Sequence, residues 1–303
     1  MFMDKNFKVG FICIGPERSG TTWLYQCFKE HPEICVSEPK EVNFFNSAQS
    51  FWRQDLIGET NYTKGLEWYF EHFNHCLNKK IAGEITPIYL HSPEVPKRIR
   101  ENFPEVKLIA ILRNPIERLY SHYMYTKLKG FYELPSFEEV IEKEKSFVEE
   151  SSYFKHLQNY LKYFPREKIL IMIYEDIEKN PKVFIKEVFK FLGVDDAFIP
   201  LSVNKNINSA GAVVVRKKVL SLKDSFKKTP GGRFIIQLIK KTPFYKKMVN
   251  SLATKTGTVK VDYGKINPET RKRLFEFYKE DINGLEKFLG RDLVFWKEWL
   301  QKS

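Results

Sequence analysis

One stretch near the N-terminus restricts this chain more than any other. Residues 9 to 23 read Val9-Gly10-Phe11-Ile12-Cys13-Ile14-Gly15-Pro16-Glu17-Arg18-Ser19-Gly20-Thr21-Thr22-Trp23. An apolar run ends at Gly15 and a short turn follows. From Thr21 to about Glu30, Trp23, Leu24, Cys27 and Phe28 fall on one helical face. Strand, tight loop and helix start is the layout of an anion cradle, because loop N–H groups and the positive end of a helix dipole converge there. The spacing nearly fits the nucleotide-binding pattern G-x-x-x-x-G-K-[ST]. Thr21 stands where an ATP-binding loop places Lys, and a cation, Arg18, lies three residues earlier. That arrangement suits a nucleotide with a single 5′-phosphate and a transferable group beside it. The plain alternative is an ordinary strand–turn–helix unit.

The rest of the chain repeats this alternation. Strands are predicted over Phe7 to Ile14, Ile34 to Ser37, Ile81 to Ile85, Lys107 to Leu112 and Ile169 to Tyr174. Between and after them lie helical patterns over Gly65–Phe73, Pro93–Asn102, Pro115 to about Lys129, 151–163 and Pro181–Leu192, the last stopping at Gly193. Residues 46–61 read as a polar surface connection. Asn114 is placed to cap one helix with Pro115 at its first position, and Ser136 with Glu139 forms a capping box. Pro268 to Leu289 reads as a closing amphipathic helix with Leu274, Phe277, Tyr278, Ile282 and Leu285 inward, and Trp296 and Trp299 as packing residues. The predicted class is α/β, a P-loop-type mainly parallel sheet flanked by helices, with a basic C-terminal helical or loop segment. Ligands bind such sheets beyond the carboxyl ends of the strands. Gly15–Thr22, Lys40/Glu41, Thr86/Pro87 and Arg113 all follow predicted strands, so four polar sites are expected on one rim.

At 303 residues and 43% apolar, the chain can form one large domain, expected over 1–303. Its charge is uneven. Residues 201–265 hold fifteen Lys/Arg and two acids, a net of +13, while the remainder has 35 basic and 36 acidic side chains. The basicity belongs to one insertion or cap segment, which opposes a general nucleic-acid binder and favours a local anionic partner. That segment reads either as a cap helix with a solvated cationic face or as a patch for an anionic acceptor or a lipid surface. The four cysteines (Cys13, Cys27, Cys35, Cys76) have no C-x-x-C spacing and are expected to be buried free thiols in a reducing compartment. No apolar run approaches the roughly 18 residues of a membrane span, and the N-terminus shows no signal-peptide core. A soluble cytoplasmic protein is the expectation, with peripheral membrane contact through 201–265 left open.

Beyond these patterns, the chain resembles the sulfotransferases that use 3′-phosphoadenosine-5′-phosphosulfate (PAPS). Gly15 to Trp23 resembles the family's 5′-phosphosulfate loop, and Leu112-Arg113-Asn114-Pro115-Ile116-Glu117-Arg118-Leu119-Tyr120-Ser121-His122-Tyr123 its 3′-phosphate motif. His31-Pro32-Glu33-Ile34 and Lys40-Glu41-Val42-Asn43-Phe44-Phe45 resemble the region of the catalytic carboxylate in heparan sulfate sulfotransferases. Glu84-x-Thr86-Pro87-x-Tyr89 and Tyr174-Glu175-Asp176 match further landmarks, so the likeness covers most of residues 9–200 in order. The loop also resembles those of tyrosylprotein and bacterial sulfotransferases. Two departures stand out. Arg18 takes the place of a frequent Lys, and Ile85 stands where heparan sulfate enzymes commonly carry Lys.

The resemblance implies sulfuryl transfer from PAPS to an acceptor hydroxyl, with no metal required; the +13 segment points to a carbohydrate or glycolipid as that acceptor, with a soluble, uncharged small molecule as the alternative. The resemblance also implies that Gly15, Pro16, Glu17, Arg18, Ser19, Gly20, Thr21, Thr22 and Trp23 hold the 5′ end of the nucleotide, and that Arg113 and Ser121 bind the 3′-phosphate. The chemistry agrees. Arg offers a planar bidentate cation, and Ser121, eight residues on, lies about two helical turns away. The plain alternatives are a surface ion pair for Arg113 and a solvated hydroxyl for Ser121. Glu41 is the expected base, with Arg18 and Lys40 as accompanying cations; the plain alternative for Glu41 is a helix-start acid. His31, at a helix terminus, and His122 and His156, within helices, are not candidates. A kinase-like phosphotransferase using ATP is the competing function, opposed by Thr21.

Overall fold

The computed structural model describes residues 8–47, 60–76, 78–129, 135–204 and 265–297. The chain divides into two compact units, one of residues 1–123, 134–207 and 266–303, the other of 124–133 and 208–265. Of the second, only 124–129 and 265 are described, so the basic segment 201–265 lies almost wholly outside the described residues, as does Trp299.

The first unit is built on five strands, β1 (Val9–Gly15), β2 (Ile34–Val36), β3 (Ile81–Ile85), β4 (Lys107–Leu112) and β5 (Ile169–Ile173). They pair in parallel in the order β2-β3-β1-β4-β5. β1 is central and buried on both faces, which is why Phe11, Ile12, Cys13 and Ile14 are all apolar and all inaccessible. After β3 the chain crosses to the other side of β1 to form β4. The order therefore reverses between β1 and β4, the place where parallel sheets bind ligands.

Helices cover both faces. α1 (Thr21–Glu30) buries Trp23, Leu24, Cys27 and Phe28, with Phe28 against Phe11 of β1 at 5.0 Å between ring centroids. Then come α2 (Gly65–Glu71), α3 (Val95–Asn102), α4 (Pro115–Lys129), α5 (Phe137–Lys143), α6 (Lys145–Glu149), α7 (Tyr153–Leu161), α8 (Tyr174–Lys179), α9 (Pro181–Leu192) and α10 (Pro268–Leu289). The predicted caps form. Asn114 Oδ1 accepts from the N–H groups of Ile116 (3.0 Å) and Glu117 (3.3 Å), Ser136 and Glu139 make both bonds of their box, and Gly193 ends α9 in the left-handed region.

Several expectations are corrected. Phe277 is 52% exposed, and Phe275 is buried in its stead. At about 100° per residue, position 277 lies roughly 95° from the middle of the stripe formed by 274, 278, 282 and 285. Tyr174 does not extend β5 but begins α8. The cysteines are not four free thiols: Cys35 and Cys76 form a disulfide, and only Cys13 and Cys27 are free and buried. The bond joins the edge strand β2 to the turn after α2, and four free thiols no longer point to a reducing compartment. No helix among the described residues is long and apolar enough to cross a membrane.

Candidate active site

The loop after β1 is shaped by glycine. Gly15 has φ 110°, and a Cβ there would lie 2.0 Å from the Pro87 carbonyl oxygen. Gly20, at φ 84°, precedes α1, which has no capping side chain and no acid in its first turn. The helix thus presents its positive end to the loop. The Ser19 hydroxyl is fully buried there and meets no hydrogen-bond partner among the described residues. Pro16 and Thr21 are buried and Thr22 is exposed. The Trp23 indole turns into the core, where its N–H donates to the Ser202 carbonyl at 3.1 Å.

Three expected anion-binding residues meet beside this loop. Arg18, itself at φ 67°, donates through Nε to Ser121 Oγ at 3.1 Å. Arg113 donates through Nη1 to the Arg18 carbonyl oxygen at 3.0 Å and lies 4.7 Å above the Tyr174 ring. The segments after β1 and β4 and the body of α4 are thereby brought together at the sheet's reversal point. Sequence spacing separates Arg18 from the Arg113–Ser121 pair; the structure joins them directly.

Glu17 looks misplaced, because a carboxylate in an anion cradle repels its ligand. The fold turns it inward. Its Oε2 lies 3.3 Å from Arg118 Nη2 and 3.6 Å from His91 Nε2. Burial alone would push the Glu17 carboxyl up, but its pairing with His91 and the charges of His91, Arg118 and His122 hold it well below the usual carboxylate range. Arg118 is wholly buried and also reaches Glu150 Oε2 (2.9 Å), Ser151 Oγ (3.2 Å), His122 Nδ1 (3.0 Å) and the Glu17 carbonyl oxygen (3.3 Å). Arg118 is therefore the bolt between loop, α4 and α6. In the sequence Arg118 is one letter of the Leu112–Tyr123 motif, with no partner in view. The available signal was Arg118 and His122 four residues apart on one helix face; His91 and Glu150 gave none.

On the other side of the loop stand Lys40 and Glu41, whose side chains form an ion pair. The Glu41 side chain is 47% exposed and that of Lys40 only 16%. No helix starts here, so Glu41 is not a helix-start acid. Its backbone lies at φ 68°, an uncommon conformation for a residue with a Cβ, and Asn43 follows at φ 54°. The loop is held on several sides. Glu41 N–H donates to the Ile85 carbonyl (3.1 Å), Asn43 Nδ2 to the Glu41 carbonyl (2.7 Å), and Asn61 Nδ2 to the carbonyls of Val42 and Asn43 (3.2 Å each). Burial pushes the Cys13 thiol up to about 12 against the opposing influence of the Gly15 backbone and the Lys40 charge, which sets Lys40 close to the end of β1.

Beneath this loop Glu84 is fully buried at the end of β3. It accepts from Thr86 Oγ1 (2.6 Å) and the hydroxyls of Tyr69 (2.9 Å) and Tyr89 (3.3 Å). Burial pushes its carboxyl up to about 7, partly offset by these three hydroxyls. Elsewhere, Cys35, His75 and Cys76 bring possible ligand atoms within 4.8 Å of one another, but both cysteines are spent in their disulfide.

Residues 10–217 match the family described as "Sulfotransferase domain". Among curated proteins, the human bifunctional heparan sulfate N-deacetylase/N-sulfotransferase 3 is 33% identical over 199 residues, covering 61% of this chain and 22% of the relative. The mouse heparan sulfate glucosamine 3-O-sulfotransferase 5 is 32% identical over 195 residues, covering 60% of this chain and 53% of the relative. The match thus spans about a fifth to a half of these relatives' length. Among solved structures, a sulfotransferase from Alicyclobacillus acidocaldarius superposes with a TM-score of 0.68 at 19% identity, covering 96% of this chain and 99% of the other. That likeness establishes the fold; the match over residues 10–217, which takes in the loop after β1, the Lys40–Glu41 turn and the Arg113–Ser121 pair, establishes that the chain belongs to the sulfotransferase domain family.

Proposed function

We propose that this chain moves a sulfuryl group from PAPS to a hydroxyl of a carbohydrate or glycolipid acceptor. The observation that carries the reading is the meeting of Arg18, Ser121 and Arg113 beside the bare N-terminus of α1. A nucleotide with phosphates at both 3′ and 5′ positions needs two adjoining anion sites. Gly15–Thr22 and the start of α1 take the 5′ end, and Arg113 with Ser121 takes the 3′-phosphate. Arg18, bonded to Ser121, stands between the two and screens charge on the leaving phosphate.

Transfer is in line. The acceptor oxygen forms the new S–O bond, the bond from sulfur to the 5′-phosphate oxygen breaks, and the acceptor proton passes to Glu41. Lys40 holds the carboxylate and offers a cation to the sulfuryl oxygens. A positioned base of this kind contributes about 10²–10⁴ in rate. The acceptor class rests on the names of the relatives, which act on heparan sulfate, and on the +13 charge of residues 201–265, suited to an anionic glycan or a lipid surface.

Calorimetry with 3′,5′-adenosine bisphosphate (PAP) and with ATP tests the donor. PAP is expected to bind and ATP to bind weakly; tight ATP binding indifferent to the 3′-phosphate overturns the reading. Arg113→Ala should weaken PAP far more than 5′-AMP, whereas equal weakening of both would misplace the 3′ site. Glu41→Gln should keep PAP affinity and lose about a hundredfold or more in turnover, read as sulfate transfer from PAPS to pooled glycans, lipids and phenols.

A further inference from the structure

Glu84 is a buried carboxyl that the chemistry above does not use. It lies at the carboxyl end of β3, and its three hydroxyl partners come from two elements, Tyr69 from α2 and Thr86 and Tyr89 from the turn after β3. The Tyr89 hydroxyl is shared. It faces both Glu84 oxygens and also accepts the backbone N–H groups of Phe44 (2.8 Å) and Phe45 (3.2 Å). Those two residues end the turn that begins at Lys40–Glu41. Their rings lock into the same cluster, with Phe44 4.8 Å from Tyr69 and Phe45 5.8 Å from Tyr89. The other end of the turn is tied to β3 as well, through Glu41 N–H and the Ile85 carbonyl.

We propose that Glu84 is a positioning residue for Glu41: by accepting the Tyr89 hydroxyl proton it aims that oxygen's lone pairs at the Phe44 and Phe45 N–H groups and so fixes the turn that presents the base. The inference rests on the reading of Glu41 as base. The turn holds two residues at positive φ, Glu41 and Asn43, a conformation that persists only where surrounding bonds over-determine it. A hydroxyl that accepts two N–H groups can do so only if its own proton goes elsewhere, and Glu84 is where it goes. A neutral hydrophobic residue at 84 would leave the Tyr89 proton without that acceptor.

The same arrangement makes the turn sensitive to pH. The groups that face Glu84 are Tyr69 from α2 and Thr86 and Tyr89 from the turn after β3. Both tyrosines are held well above their ordinary range by burial and by the Glu84 charge, and no cation acts on Glu84 among the described residues. Once protonated, Glu84 must donate as well as accept. A neutral carboxyl with a proton of its own to place is a poorer acceptor for the Tyr89 proton, so the Tyr89 oxygen is aimed less firmly at the Phe44 and Phe45 N–H groups, and the turn loosens.

The test is amide hydrogen exchange on the full chain, with the wild type, Glu84→Gln, Tyr89→Phe and Glu41→Gln compared at matched pH, alongside PAP calorimetry and sulfate transfer to the acceptor pool. Glu84→Gln and Tyr89→Phe should each lose about tenfold in protection at the Phe44 and Phe45 amides, the loss expected for one hydrogen bond. Transfer should fall with it, while α1 protection and PAP affinity stay unchanged. In the wild type, protection corrected for intrinsic exchange should drop as pH falls through about 7, and Glu84→Gln should abolish that step. Unchanged protection in both variants overturns the inference, as does a loss spread equally over α1. Glu41→Gln separates the two claims. If it loses transfer while the other two variants keep protection and transfer, the Glu84 inference falls alone. If it keeps transfer, Glu41 is not the base and the assignment of Glu84 as its positioning residue falls with that reading.

Discussion

Glu150, behind the anion cradle, and Glu84, beneath the base turn, are both buried carboxyls, and they are pushed in opposite directions. Burial alone would raise both. At Glu150 the charges of His91 and Arg118, with hydrogen bonding from His122, outweigh it and hold the carboxyl at about 2. At Glu84 the partners are three neutral hydroxyls, burial wins, and the carboxyl stands at about 7. Both groups are hydrogen-bonded, so pairing as such is not the difference. What differs is whether a cation shares the low-dielectric space. The cradle side keeps fixed charges at neutral pH, as suits a site for a phosphate-bearing ligand. The base side keeps a group poised between charge states.

The largest break in that contrast is expected from Arg118→Met. It strands the Glu17 and Glu150 carboxylates without their shared cation, and unfolding by urea should show a loss of about 3–5 kcal/mol. PAP affinity should fall as well, because Glu17 is then released toward the cradle. An unchanged unfolding midpoint would mean that His91 and His122 alone neutralise the pair.

A smaller effect is expected in the pH dependence of stability. Glu84's folded-state pKa is raised from 4.5 to about 7, so its contribution is fully present below pH 4.5 and is lost as pH rises to about 7. Glu150 is lowered from 4.5 to about 2, so its contribution is present above pH 4.5 and is lost as pH falls toward 2. His91 is raised from 6.5; burial opposes the rise, and Glu150 and Glu17 bring it about. Its share is present below pH 6.5 and lost above. Stability should therefore be greatest in the mildly acidic range and decline by on the order of 1–3 kcal/mol toward pH 8. Glu84→Gln should remove the part of the decline below about pH 7 and leave the His91 part. A decline identical in wild type and variant would remove Glu84 from the account.

The smallest effect is the control. Glu38 is hydrogen-bonded to Lys29 at 2.6 Å, which lowers its carboxyl as pairing lowers Glu150, but both side chains are about half exposed. Glu38→Gln should change stability by no more than about 0.5 kcal/mol in the same urea series. A cost near that of Arg118→Met would show that pairing, not burial, sets the scale.

Much of this was legible beforehand because it is local. Strand β4 and helices α1, α4, α5, α9 and α10 occur where apolar periodicity, Asn114, Ser136, Pro181 and Gly193 place them, since caps and breakers act within a few residues. The strand-end positions of Gly15–Thr22, Lys40/Glu41, Thr86/Pro87 and Arg113 are local as well, since each follows directly on a strand that periodicity predicts. The misses share a cause. The Cys35–Cys76 bond, the Arg18–Ser121 contact and the Arg118–Glu150 pair span 41, 103 and 32 residues, and no spacing rule reaches that far. In the sequence Glu84 is one position of the Glu84-x-Thr86-Pro87-x-Tyr89 match; that its carboxyl is inaccessible and met only by hydroxyls among the described residues follows from α2 and the turn after β3 closing over it.

By itself, then, the sequence determined the parallel α/β alternation, the glycine-shaped loop between β1 and α1 and the charge confined to 201–265, because periodicity, turn chemistry and composition are properties of neighbouring residues. Tertiary structure alone decided that Glu17, inside the loop after β1, turns inward to Arg118 and His91. It also decided that the candidate base is exposed in a loop held at positive φ, and that two buried carboxyls titrate apart. Each of these depends on which distant side chains share a water-poor space, and burial together with the sign of a neighbour's charge is set only once the chain has packed.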